Sequence, residues 1–246
     1  MSIVLFSGTT EGRLISRRLA EGGAAVTVCV ATAYGTEEQG QTPGVTVLTG
    51  RTDASEMAQI LAGAALCVDA THPYAVDASV NIQAACRAAG VEYRRLLRRE
   101  SETAGAVTVD SGAEAAAYLA QTTGSILLTT GAKELGVYGA LPPQRLYPRV
   151  LPSHESLSAC EALGIPHRNI LAIQGPFSRE MNEAILRQYA IAYVVTKDGG
   201  AAGGCPEKAA AARATGANLV VIRRPKETGE DFETILQYCQ EVLGCR

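Results

Sequence analysis

The chain has 246 residues, 47% of them apolar and 19% charged, with a formal net charge of −3. That length suits one large domain or two small ones with a sizeable core, and the apolar share excludes a disordered chain. The charge balance gives no global drive toward nucleic acid or an anionic membrane, so any anionic ligand must meet a local basic cluster.

Met1 leads directly into the apolar run Ile3–Phe6, with no basic segment or cleavage site before it, and no stretch approaches membrane-spanning length. An unexported, cytoplasmic protein is expected. Further short apolar runs follow at Ala25–Val30, Val45–Leu48, Leu66–Asp69, Val107–Val109, Ile126–Leu128, Ile170–Ile173, Tyr193–Val195 and Leu219–Ile222. Runs of this kind fit parallel strands buried on both faces. Between them lie helical patterns at Glu11–Glu21, Asp77–Ala89, Ala113–Gln121, Arg179–Gln188, Glu207–Thr215 and Asp231–Leu243. The alternation predicts an α/β protein with doubly wound, Rossmann-like parallel sheets. The periodicity breaks between Arg94 and Gly105, which puts a boundary near residue 102. Two domains are expected, 1–102 and 103–246.

Cysteines stand at 29, 67, 86, 160, 205, 239 and 245. The number is odd and no pair has metal-ligand spacing, so reduced thiols and no metal site are expected.

In sheets of this type ligands gather beyond the carboxyl ends of the strands. The first strand ends in Ser7-Gly8-Thr9-Thr10-Glu11-Gly12-Arg13. Gly8 allows a sharp turn, and the helix start offers unpaired N–H groups to a phosphate, with Thr9 and Thr10 as further donors. The alternative is a plain turn capped by Thr10; G-x-G-x-x-G is not matched, and Glu11 adds negative charge near the phosphate position. The fourth strand ends in Asp69-Ala70-Thr71-His72-Pro73-Tyr74-Ala75, which places His72 alone among the three histidines at a strand end. His154 and His167 fall in polar connections.

The second half offers three polar strand ends: Thr129-Thr130-Gly131-Ala132-Lys133, Gln174-Gly175-Pro176-Phe177 and Thr196-Lys197-Asp198-Gly199-Gly200. The last continues through a glycine-rich loop, Ala201 to Gly204, into a helix. It suits either an anion cradle or a surface loop. Arg94, Arg95, Arg98 and Arg99 form the densest basic cluster.

These pieces together resemble the precorrin-6A and cobalt-precorrin-6A reductases. The resemblance rests on Gly8-Thr9-Thr10-Glu11-Gly12-Arg13, Gly50-Arg51, Asp69-Ala70-Thr71-His72-Pro73-Tyr74-Ala75 and Arg95 with Arg98. It continues through Thr130-Gly131, Thr196-Lys197-Asp198-Gly199-Gly200, Lys208 and Arg223-Arg224-Pro225, and so spans essentially the whole chain. The chain departs from the family pattern at Leu97 and Arg99, where glutamate and proline are expected. The resemblance implies two Rossmann-like domains with a cleft between them, where NADPH or NADH meets a tetrapyrrole macrocycle and one double bond is reduced. Cofactor contacts are then expected from Gly8, Thr9, Thr10, Glu11, Arg13, Thr32, Arg51, Thr71, His72, Thr130 and Gly131. Macrocycle carboxylates call for Arg95, Arg98, Lys133 and Lys197, with Asp198, Gly199 and Gly200 beside them. The proton that accompanies the hydride could come from His72, Tyr74, Lys197 or water.

An NAD-specific site places an acid at the end of the second strand. Here Ala31-Thr32-Ala33-Tyr34-Gly35 follows, with no acid before Glu37. NADPH is therefore expected to be accepted at least as well as NADH, with Thr32 on either ribose and Arg13 or Arg51 on a 2′-phosphate. The nearest alternative, a short-chain dehydrogenase, needs a Y-x-x-x-K pair with a serine upstream, and no such pair is expected here. A non-catalytic dinucleotide sensor would not need the polar strand ends of the second half.

Overall fold

The computed structural model describes residues 2–98, 105–200 and 203–244. Arg99, Ala201, Ala202, Cys245 and the expected boundary at 102 lie outside them. The chain forms two compact units, Met1–Arg99 with Pro225–Arg246, and Glu100–Arg224. Among the described residues no helix is long and apolar enough to cross a membrane.

In the first unit the chain runs β1 (Ile3–Phe6), α1 (Thr10–Glu21), β2 (Val26–Val30), α2 (Ala33–Gln39), β3 (Val45–Thr49), α3 (Ala54–Leu61), β4 (Leu66–Asp69), α4 (Val76–Ala89) and β5 (Glu92–Arg95). The strands are parallel in the order β3-β2-β1-β4-β5. Alternation across the pleat explains why β1 reads as one apolar run. Ile3 and Leu5 join Ile15 and Leu19 of α1 on one face, while Val4 and Phe6 join Met57, Leu61 and Ile82 of α3 and α4 on the other. Direction reverses beside β1: the chain winds outward to β3, then returns to place β4 on β1's free side. The crevice expected at such a reversal lies between the ends of β1 and β4.

The second unit runs β6 (Val107–Val109), α5 (Gly112–Ala120), β7 (Ser125–Leu128), a 3₁₀ segment (Ala132–Tyr138), β8 (Leu146–Val150), α6 (His154–Ala162), β9 (Leu171–Ala172), α7 (Arg179–Gln188), β10 (Ile191–Lys197), α8 (Cys205–Thr215) and β11 (Asn218–Ile222). Its sheet is also parallel, in the order β6-β11-β10-β7-β8-β9. From β7 outward to β9, and then back to β10 and β11, it repeats the winding of the first sheet. Its reversal lies between β7 and β10.

The carboxyl-terminal segment corrects the expected domain 103–246. It returns to the first unit, where α9 (Phe232–Leu243) packs on α1 and buries Ile235, Leu236 and Cys239 in the same core as Ile3 and Leu5. The return is pinned beside β5: the Glu230 amide donates to Arg95 O at 2.9 Å, and the Leu97 amide donates to Glu230 O at 2.7 Å. Gly229 is required there, because a Cβ would stand 2.4 Å from Arg95 O. The helical pattern of Asp231–Leu243 was visible in sequence, but its destination depends on which unit has an uncovered apolar face.

Five α-helices and strands were not among those predicted, and β5, with the sequence Glu92-Tyr93-Arg94-Arg95, has no apolar run to mark it. α2 buries only Gln39 and carries no apolar stripe. α3 is short, set by a capping box between Asp53 and Glu56. β8 is interrupted by Pro148 and Arg149, and α6 begins at an exposed His154.

Candidate active site

The β1–α1 turn is built on two glycines with different duties. Gly8 is exposed and has φ +126°, with open space where a Cβ would project. That is a backbone which side-chain-bearing residues rarely adopt, left clear for a close approach. Gly12 instead faces inward: a Cβ there would fall 2.4 Å from Ser7 Oγ and 3.0 Å from the Ala70 Cβ. It lets α1 lie tight against the ends of β1 and β4, although it is one residue away from the usual fingerprint position.

Thr9, not Thr10, caps the helix. Its Oγ1 accepts from the Gly12 amide at 3.1 Å and donates to Ala70 O at 2.8 Å. The Thr9 proton is therefore committed within the protein, which corrects its expected role as a phosphate donor. The same bond ties the β1–α1 turn to the end of β4. Thr10 is the first residue of α1 and half-buried. The first amides of α1 point out of the helix end beside Gly8, so the turn fits a dinucleotide phosphate.

At the end of β4, Asp69 is fully buried. It accepts from the Thr71 amide at 3.0 Å, Thr71 Oγ1 at 2.6 Å, Arg95 Nη1 at 2.8 Å and Tyr93 Oη at 2.9 Å. Burial, then the Asp69 charge, pushes the Tyr93 hydroxyl well above its ordinary range. The Thr71 hydroxyl is thus turned inward, whereas His72 and Tyr74 stay half-buried beyond it. His72 Nδ1 accepts from the Tyr74 amide at 3.4 Å, and the two rings lie 5.5 Å apart.

The two arginines expected to hold substrate carboxylates are satisfied by carboxylates of the chain itself. Arg95 is 5% exposed and pairs with Asp69 and, at 2.6 Å, with Glu227 from the returning segment. Arg98 pairs with Glu11 Oε2 at 2.7 Å. Arg94 lies over the Tyr238 ring and pairs with Glu92. Arg95 and Arg98 meet acids brought in from distant sequence, which no local pattern reveals.

Around β2, Thr32 caps α2 through the Gly35 amide at 3.0 Å and is exposed. Arg13 Nη1 donates to both Glu38 O and Glu38 Oε2. Arg51 is exposed, next to Gly50, whose amide donates to Val30 O at 2.9 Å.

In the second unit the reversal brings together Thr130, Gly131 and Lys197. The Thr129 amide bonds Val195 O at 3.0 Å, joining β7 to β10, and Gly131 has φ +88°. Thr130 is buried beside the Tyr138 hydroxyl, which burial pushes up to about 12. Lys197 pairs with Glu134, an acid the sequence reading did not single out, and Lys133 is exposed. Asp198, Gly199 and Gly200 are buried. Asp198 accepts from Arg224 at 3.1 Å and from the Gly200 amide at 3.2 Å, which makes it a holder of its own loop.

Two further cations had no expected role: Arg149 was not singled out in the sequence, and Lys208 entered only as part of the resemblance. Arg149, at the end of β8, is 7% exposed, donates to Asn182 Oδ1 at 2.8 Å and lies over the Phe177 ring at 4.0 Å. Among the described residues it has no carboxylate partner, and burial pushes it down to about 10. Lys208 Nζ donates to Thr196 Oγ1 at 3.1 Å and to Gly203 O at 3.0 Å. Burial, with a smaller contribution from the Arg149 charge, pushes it down to about 8. A buried cation without a carboxylate partner, as Arg149 is among the described residues, is costly unless an anion completes it.

The family model described as precorrin-6x reductase CbiJ/CobK matches residues 2–240. The chain belongs to that family. It is 36% identical to a cobalt-precorrin-6A reductase of Methanothermobacter thermautotrophicus, over 92% of this chain and 77% of that one. It is 35% identical to the cobalt-precorrin-6A reductase of Priestia megaterium, over 98% and 96%. A solved CobK precorrin-6A reductase superposes with a TM-score of 0.80 at 25% identity, covering 98% of this chain and 97% of that one.

For this precorrin-6x reductase one sequence expectation needs correcting. Tyr193 does precede Lys197 by four residues. Both lie on β10, where that spacing spans about 13 Å of strand, and Tyr193 packs edge-on against Tyr118. They do not form the catalytic pair of a short-chain dehydrogenase. Arg149 was hidden because Pro148 breaks the apolar run of β8; the signal available was a lone arginine before Val150-Leu151-Pro152.

Proposed function

We propose that this chain reduces one double bond of precorrin-6A, or of its cobalt-containing form, in cobalamin biosynthesis in the cytoplasm, using NADPH or NADH. The observation that carries the reading is the joint between Gly8 and the His72 loop, made by Thr9, within a chain matched by the reductase family from residue 2 to 240. The cofactor supplies the hydride. The chain supplies position: Gly8 and the start of α1 hold the pyrophosphate, and Asp69 with Arg95 fixes the loop that presents His72 and Tyr74. In the second unit Arg149, Lys208 and exposed Lys133 offer cations to the carboxylates of the macrocycle. The proton comes from His72, Tyr74, Lys197 or water. The absence of an acid directly after β2, before Glu37, supports acceptance of NADPH at least as readily as NADH.

The test is anaerobic oxidation of NADPH and NADH by the purified chain with precorrin-6A and with its cobalt form. Turnover with a tetrapyrrole alone is expected. Oxidation without any macrocycle, or cofactor binding without turnover of either form, would overturn the assignment. A tenfold or greater preference for NADH would overturn the cofactor reading.

A further inference from the structure

In a sheet wound like that of the first unit, the adenosine ribose of a dinucleotide lies at the end of β2. Three charged residues belong to the elements that flank β2: Arg13 to α1, Glu38 to α2 and Arg51 to the turn after β3. Arg51 follows Gly50, whose amide is bonded to the last β2 carbonyl and whose φ of +142° turns the chain there. Arg13 comes from α1 and Glu38 from α2, and they meet: Arg13 Nη1 lies 2.8 Å from Glu38 O and 2.7 Å from Glu38 Oε2. Among the described residues, Nε and Nη2 of Arg13 have no hydrogen-bond partner. Arg13 is thus held in place twice by one residue, once through the backbone and once through a charge.

We propose that Glu38 sets the cofactor choice of this reductase by neutralising Arg13, the residue that would otherwise answer a 2′-phosphate. This rests on the reading that the dinucleotide occupies the β1–α1 turn. The pair is exposed, with 24% and 49% of the two side chains accessible, so it is weak and a phosphate dianion competes with it. The 2′-OH of NADH makes no such demand and leaves the pair closed. Glu38 thereby takes the place of the missing acid at the end of β2, acting through an arginine instead of on the ribose. The carbonyl contact is independent of the side chain, so Glu38→Gln keeps Arg13 where it is and removes only the opposing charge.

The experiment measures binding of 2′,5′-ADP and 5′-AMP by calorimetry, and of NADPH and NADH by their fluorescence, to the full chain. Four forms are compared: the unaltered protein, Glu38→Gln, Arg13→Gln and the double variant. Glu38→Gln is expected to raise the preference for the 2′-phosphorylated ligand by about threefold, the worth of an exposed pair. The gain should shrink as salt is raised and vanish in the Arg13→Gln background. An unmoved preference with both ligands still bound overturns the inference alone. An equal gain without Arg13 overturns it too, because Glu38 would then act by direct repulsion. Failure of the unaltered protein to bind 5′-AMP or either dinucleotide overturns the cofactor site itself, and the inference with it.

Discussion

Arg98 places a guanidinium nitrogen 2.7 Å from Oε2 of Glu11, in the first turn of the helix that follows β1. Read along the sequence, Glu11 is a liability in a phosphate site. In the fold its charge is cancelled by a side chain from beyond β5, of which only 7% is exposed. The helix start keeps its positive end. Arg98→Ala should therefore weaken dinucleotide binding about tenfold, roughly 1.4 kcal/mol, and Glu11→Gln in the same chain should restore most of it. Titration of NADPH into the three proteins decides; loss of macrocycle affinity with the cofactor unaffected would return Arg98 to the substrate.

The two glycines of the first turn should fail differently. Gly8→Val is expected to cost more than tenfold in cofactor affinity, about 1.4 kcal/mol, with little change in folding beyond local strain. Gly12→Ala should cost about 1–3 kcal/mol of stability through overpacking, because its Cβ would meet Ser7 Oγ at 2.4 Å. Urea unfolding beside cofactor titration separates them, and an unchanged midpoint for Gly12→Ala would refute the packing role.

Arg95→Ala leaves fully buried Asp69 without its cation. Breaking a buried pair from one side costs about 3–5 kcal/mol. The expected result is a large drop in the urea midpoint. A variant as stable as the parent that had lost only macrocycle binding would show that Arg95 serves the substrate after all.

Lys208 should make the protein's behaviour pH-dependent in the alkaline range. Its folded value is pushed down to about 8, from an ordinary 10.5. Between those values the unfolded chain binds the extra proton, so stability rises with pH across that window and is lowered by a constant amount below it. Lys208→Met should stabilise the protein at neutral pH and flatten the rise. In the same variant, macrocycle affinity should fall at neutral pH. The parent should lose affinity as pH climbs through about 8, while Arg149 stays charged to about 10. A flat stability profile in the parent would refute the burial of that ammonium.

Much of the architecture was legible along the chain because parallel strands buried on both faces must be continuous apolar runs, and β1, β4 and β11 are. The strand-end loops were legible too, since polar residues straight after such runs have few places to go but the crevice. What the sequence could not disclose was pairing. Arg95 and Arg98 read as ligands for a substrate because Asp69, Glu227 and Glu11 stand 26, 132 and 87 residues away from their partners. Arg149 stayed unnoticed inside a strand broken by proline, and α9 was assigned to the wrong unit although its helix was seen.

By itself, then, the sequence determined the two α/β units, the glycine turn at Gly8, the His72 loop and the family of reductases to which the chain belongs. All of these are carried by local periodicity or by contiguous motifs. Only the tertiary structure decided which charges are paired within the chain and which, like Arg149, have no carboxylate partner among the described residues. That depends on side chains brought together from distant strand ends, and Coulomb interactions follow distance in space, not separation along the chain.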